Sequence, residues 1–237
     1  MALSLTKLAA VKALGALNVN VASLVDKSGS MTSGSEKGDR GTSRWDLSIK
    51  VNAEITRAVC QFDDDGIDLV FFNGKYEVIT GVTEDSVRKV FAGQYPGGGT
   101  SLAAPLRAMI DKYLPARLIS PAQAGGFMRK AAPAVYEAIS PEKPVAILIW
   151  TDGCPSDREE VQEVIIDATR RIKKDSDFGI AFIQVGHDRS ATEWLVQQDQ
   201  GLVEKGAQFD VVAVVHYDEI AQAKLSPEDI VRVAFTG

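Results

Sequence analysis

The sequence predicts an α/β fold: a doubly wound, Rossmann-like, mostly parallel sheet with helices on both faces. Two observations carry that reading. Short β-branched apolar runs recur at residues 19–25, 67–72, 145–150, 180–185 and 211–215, and such near-continuous apolarity suits strands covered on both sides. Segments between them repeat with helical period, and strand alternating with helix means parallel pairing through crossovers.

The elements can be taken in chain order. In residues 1–17, Leu3, Leu5, Leu8, Val11, Leu14 and Leu17 share one side of a helix whose charges are Lys7 and Lys12. This N-terminal helix or extension reads as packing on the domain, in preference to a signal peptide or an interfacial membrane helix. Over 45–62, Leu47, Val51, Ile55, Ala58, Val59 and Phe62 form an apolar stripe opposite Lys50, Glu54, Arg57 and Gln61, with Cys60 packed beside it. A helix is expected at 102–114, behind a glycine run. Residues 115–144 hold five of the nine prolines and read as an excursion inserted into a single domain spanning 18–237, with a short helix near 128–139. The helix expected at 157–174 starts on Asp157, Glu159 and Glu160 and ends on Arg170, Arg171, Lys173 and Lys174, the polarity a helix dipole favours.

Composition limits the function. The 237 residues are 45% hydrophobic and 24% charged, with a formal net charge of −6, which excludes a disordered chain. The acidic balance argues against nucleic-acid binding, and the one basic run is accounted for by its helix end. No apolar stretch approaches the ~18 residues of a membrane span. Cys60 and Cys154 allow at most one disulfide, so a reducing cytoplasm is the expected location.

Chemistry gathers after the strands. The run 19–25 leads into Asp26-Lys27-Ser28-Gly29-Ser30, and an extended chain there would point the oxygens of Asp26, Ser28 and Ser30 the same way. The run 145–150 leads into Thr151-Asp152-Gly153, and Gly97-Gly98-Gly99 delivers Thr100 and Ser101 at a helix start. In an open α/β sheet these segments meet at the carboxyl edge of the strands. An all-oxygen set suits a hard cation, Mg²⁺ first, then Mn²⁺, with Ca²⁺ behind. Zinc is disfavoured because neither Cys nor His belongs to the set.

Asp26-x-Ser28-x-Ser30, Thr100 in its glycine-rich loop and Asp152 in Thr-Asp-Gly resemble the five positions of the metal-ion-dependent adhesion site of von Willebrand factor A (VWA) domains. The likeness covers roughly residues 18–220. It implies a six-stranded sheet, the strands ending at Asp26 and Asp152 as neighbours, and Ser28, Ser30 and Thr100 as hydroxyl ligands. Asp26 and Asp152 would act directly or through water. Ser43-Arg44-Trp45-Asp46 is similar to small bacterial members, including those associated with tellurium resistance and stress. The polar insertion 32–43 and the excursion 115–144 depart from a minimal domain without touching the five positions.

Simpler roles compete for the same residues. Asp26, Ser28 and Ser30 alone would make an Asx or Ser turn, and the glycine run lacks the Lys of a phosphate loop. Cys154 has no orienting group that would make it a nucleophile with His187; His187 and His216 each read as a capping or loop residue. The function expected is a non-enzymatic, divalent-metal-dependent protein-binding module that captures an Asp or Glu of a partner protein. The alternatives are a metal-assisted hydrolase or phosphatase, and a structural interaction domain whose metal is incidental.

Overall fold

A computed structural model describes residues 18–34, 42–116 and 136–237. The strands are β1 (Asn20–Asp26), β2 (Ile67–Phe72), β3 (Tyr76–Val82), β4 (Val145–Thr151), β5 (Phe178–Gln184) and β6 (Val212–His216). They form one sheet in the order β3-β2-β1-β4-β5-β6. Every pair is parallel except β2 with β3. Among the described residues the α-helices are α1 (Arg44–Val59), α2 (Glu84–Ala92), α3 (Ala103–Tyr113), α4 (Arg158–Thr169), α5 (Arg189–Gly201), α6 (Tyr217–Ala223) and α7 (Pro227–Val233). This is an α/β doubly wound arrangement consistent with a VWA fold.

The period of two sorts each central strand between two cores. Val21 and Val25 of β1, with Leu148 and Trp150 of β4, face a cluster completed by α1, α2, α6 and α7. Ala22 and Leu24, with Ile147 and Ile149, face the cluster of α3, α4 and α5. Both faces are therefore dry, which is why β1, β2, β4 and β5 read as continuous apolar runs. In the first core Trp45, Phe71 and Phe91 meet with centroids 5.0–5.9 Å apart, anchoring the first turn of α1 against β2. Truncating such a residue costs about 3–5 kcal/mol.

The structure corrects several expectations. β3 escaped the search for apolar runs because it is an exposed edge strand. The helix expected at 157–174 ends at Thr169, and Arg171 is no solvated helix-end charge. It is 5% exposed, bonded to Asp111 at 2.5 Å, Asp167 at 2.7 Å and the Leu114 carbonyl at 3.1 Å, and so ties α3 to α4. The extension at 1–17 and most of the helix expected at 128–139 lie outside the described residues. The end of that helix is not helical: Ile139 forms a parallel bridge with Ile172, which offers its backbone the partners a last helical turn would have supplied.

The candidate metal centre at the carboxyl edge

The strand order reverses between β1 and β4, and the carboxyl ends of these two neighbours carry Asp26 and Thr151-Asp152. A crevice at such a point is where open α/β sheets bind ligands. Asp26 is fully buried. Its Oδ1 accepts the Ser28 amide at 2.7 Å and its Oδ2 the Thr151 hydroxyl at 2.9 Å. The first of these bonds is the Asx turn of the simpler reading, present inside the larger cluster.

The chain does not stay extended after Asp26. Gly29–Thr32 closes into a 3-10 turn, so the alternation expected for Ser30 is replaced by a tighter path. The hydroxyls still converge: Ser28 and Ser30 Oγ are 3.0 Å apart, and Ser30 donates to Asp152 Oδ1 at 2.9 Å. Asp26, Ser28, Ser30 and Asp152 thus form one hydrogen-bonded series from two strands.

Thr100 reaches this edge through its loop. Gly97 N–H donates to the Lys27 carbonyl at 2.7 Å, and Gly29 N–H to the Gly98 carbonyl at 3.3 Å. The Asn73 amide holds the Gly97 carbonyl at 2.6 Å. Gly98 has φ +89°, a left-handed conformation that a side chain would strain. Beyond it, Ser156 donates its amide and its hydroxyl to the Thr100 carbonyl, each at 2.8 Å. Asp157 accepts the Leu102 and Ala103 amides at 3.0 and 2.9 Å, capping α3. The glycine loop is pinned between the loops carrying Ser28 and Asp152.

Arg44 is the participant that residue-type reasoning missed. It opens α1, whose cap Ser43 accepts the Asp46 amide at 3.0 Å. From there the guanidinium pairs with Asp152 Oδ2 and reaches the Ser30 carbonyl at 3.4 Å. It also lies against Gly186, where a Cβ would stand 2.5 Å from Arg44 Nε. The signal was the placement of Ser43-Arg44 at a helix start; what it touches depends on how that helix start meets the loops carrying Ser30, Asp152 and Gly186.

Among the described residues no side-chain cation contacts Asp26. Burial, with a smaller contribution from the like charge of Asp152, pushes its carboxyl up to about 6, against the amide and hydroxyl bonds that lower it. A desolvated carboxylate beside a second carboxylate and two hydroxyls fits a hard divalent cation. The other conspicuous polar group on this edge is His187, His216 and Asp218, with one ligand atom from each within 4.8 Å of the others. Cys154 sits nearby with its Sγ 3.2 Å from the Ser190 carbonyl. A depression of about 420 Å³ lined by Asn18, Pro144, Phe178, Val211 and Phe235 contains none of these groups.

No family model matches the sequence, and no curated protein matches it. Solved structures do. The manganese-loaded TRAP protein of Plasmodium vivax superposes with a TM-score of 0.51 at 16% identity, covering 90% of this chain and 73% of that one. The PilB minor pilin of Streptococcus sanguinis gives 0.52 at 14%, covering 92% and 60%. The pilus adhesin SpaC of Lactobacillus rhamnosus GG gives 0.54 at 13%, covering 92% and 31%. At these identities the likeness is one of fold. This chain spans under two thirds of the pilin and about a third of the adhesin. No helix among the described residues is long and apolar enough to cross a membrane.

Proposed function

We propose that the carboxyl edge is a divalent-metal-dependent protein-binding site of the VWA type, with Asp26, Ser28, Ser30, Thr100 and Asp152 as its metal set. The observation that carries this is the hydrogen-bonded series from Asp26 through Ser28 and Ser30 to Asp152, buried at one end and, among the described residues, with no side-chain cation on Asp26. The names of the neighbours favour it: one is manganese-loaded and another is a pilus adhesin. Mg²⁺ or Mn²⁺ suits the donor set.

The three hydroxyls supply neutral oxygen, and with the two carboxylates held largely behind them, acting through water, the atoms touching a divalent ion would leave it under-neutralised. A bound cation would offer a coordination position to an Asp or Glu of a partner protein. Around that anchor, the Gly97–Gly99 loop and the turn at 154–156 would set specificity by contact. Arg44 is already engaged by Asp152 and the Ser30 carbonyl, so it is not presented as a clamp for a leaving group, and we infer that the chain has no turnover of its own. A cytoplasmic location is part of the same reading: Cys60 and Cys154 are free thiols.

The test is affinity capture on immobilised protein with Mg²⁺, eluted with EDTA. A partner that is retained by the wild type, released by EDTA, lost with Ser28→Ala and Thr100→Ala, and dependent on one of its own acidic residues supports the proposal. Retention indifferent to chelation and to both substitutions overturns it. A panel of phosphoesters, nucleotides and peptides should show no hydrolysis, and activity abolished by Asp152→Ala would favour the hydrolase reading instead.

A further inference from the structure

We propose a second cation site on the same edge, formed by His187, His216 and Asp218 and suited to a borderline transition metal, zinc first. It is chemically unlike the oxygen set and does not depend on it. β5 and β6 are parallel neighbours with Gln184 opposite His216, so the segments following their carboxyl ends arrive side by side. His187 follows β5, His216 ends β6, and Asp218 lies in the first turn of α6.

The spacing is close to that of a ligand set. Asp218 Oδ2 lies 3.6 Å from His187 Nε2 and 3.6 Å from His216 Nδ1. Two ligands at bond lengths of roughly 2.0–2.2 Å and a tetrahedral angle are about 3.4 Å apart. The shared carboxylate oxygen therefore already stands near ligand-to-ligand distance from both nitrogens.

The hydrogen bonds of His216 fix which nitrogen faces the cluster. Nδ1 accepts the Asp218 amide at 3.1 Å, so it carries no proton, and Nε2 donates to the Gly186 carbonyl at 2.7 Å. A proton held on the far nitrogen by a backbone carbonyl, with the lone pair on the near one, is the arrangement that orients metal-ligating imidazoles. Binding takes that lone pair from the Asp218 amide. It also splays the two rings, now stacked with centroids 4.7 Å apart at 14°, because a ligand ring must point edge-on at the ion. The His187 side chain is 47% exposed.

Two imidazole nitrogens and one carboxylate select against Mg²⁺ and Ca²⁺, which take oxygen, and for Zn²⁺, Co²⁺ or Ni²⁺. Three protein ligands leave a position for water or a partner side chain.

The experiment uses the untagged full chain in saturating Mg²⁺, with Co²⁺ as probe through its visible absorption and Zn²⁺ as competitor. We expect one Co²⁺ per chain, displaced by Zn²⁺ and retained by Asp26→Ala. Affinity should fall at least tenfold in His187→Gln and in Asp218→Asn. His187→Gln is the deciding variant, since its half-exposed side chain can be replaced without opening the core; circular dichroism checks the fold. Co²⁺ binding unchanged in both variants, or lost in Asp26→Ala while His187→Gln keeps it, overturns the proposal.

Discussion

The oxygen cluster at β1 and β4 and the imidazole cluster at β5 and β6 occupy one edge of one sheet, yet their environments are opposite. Asp26 is fully buried beneath its loops and Asp152 nearly so, whereas His187 is exposed and His216 and Asp218 are partly so. The first therefore holds charge at a cost that burial imposes and a cation would relieve; the second keeps contact with solvent, which screens its groups at little cost. Arg44 and Gly186 join the two: the guanidinium binding Asp152 lies against Gly186, whose carbonyl accepts from His216.

Substitutions should separate the two regions. The largest effect is expected from Thr100→Ala, which removes a hydroxyl of the proposed metal set: Mn²⁺ affinity should fall roughly 10–100-fold by calorimetry while Co²⁺ binding at the proposed His187 site is unaffected. Equal loss of both ions would merge the clusters into one site.

Asp26→Asn should stabilise the EDTA-treated protein by about 1–3 kcal/mol in denaturant titrations at pH 7. The folded carboxyl is raised to about 6 from its ordinary value near 4. The folded state thus binds the proton more tightly than the unfolded chain, and metal-free stability falls as pH rises through that window. Asn keeps an acceptor for the Ser28 amide and cannot ionise, so it should flatten the slope. Destabilisation at pH 7 would mean that the charge is not strained.

Arg44→Gln should act in two directions. Asp152 loses its partner, lowering metal-free stability by about 1–3 kcal/mol, while loss of a competing positive charge should raise Mn²⁺ affinity several-fold. Weaker Mn²⁺ binding would make Arg44 an organiser of the site instead of a competitor.

The smallest effect is expected far from either cluster. The Lys143 ammonium, 2.7 Å from Asp63, holds that carboxyl below its usual range. Its contribution is present at neutral pH and lost as pH falls through the lowered value. Lys143→Met should therefore narrow its melting-temperature difference from wild type below pH 4, with both metal affinities unchanged.

How much of this was legible in the sequence follows from burial. β1, β2, β4 and β5 are dry on both faces and announced themselves as apolar runs, and Asp26, Ser28, Ser30 and Asp152 stood out because polar residues follow such runs directly. β3 left no such trace, since its exposed edge needs no apolar pattern. Arg44 and the His187–His216–Asp218 grouping were hidden for another reason. Each depends on which loops meet across the edge, and residue type at one position does not encode a contact with Asp152, Gly186 or the end of a neighbouring strand.

The most direct test of the central claim is Mn²⁺ binding followed by electron paramagnetic resonance, with free ion counted against protein. One Mn²⁺ per chain, displaced by Mg²⁺, weakened at least tenfold by Asp26→Ala and by Thr100→Ala and intact in His187→Gln, is the predicted result. Mn²⁺ binding unchanged in both Asp26→Ala and Thr100→Ala would contradict it.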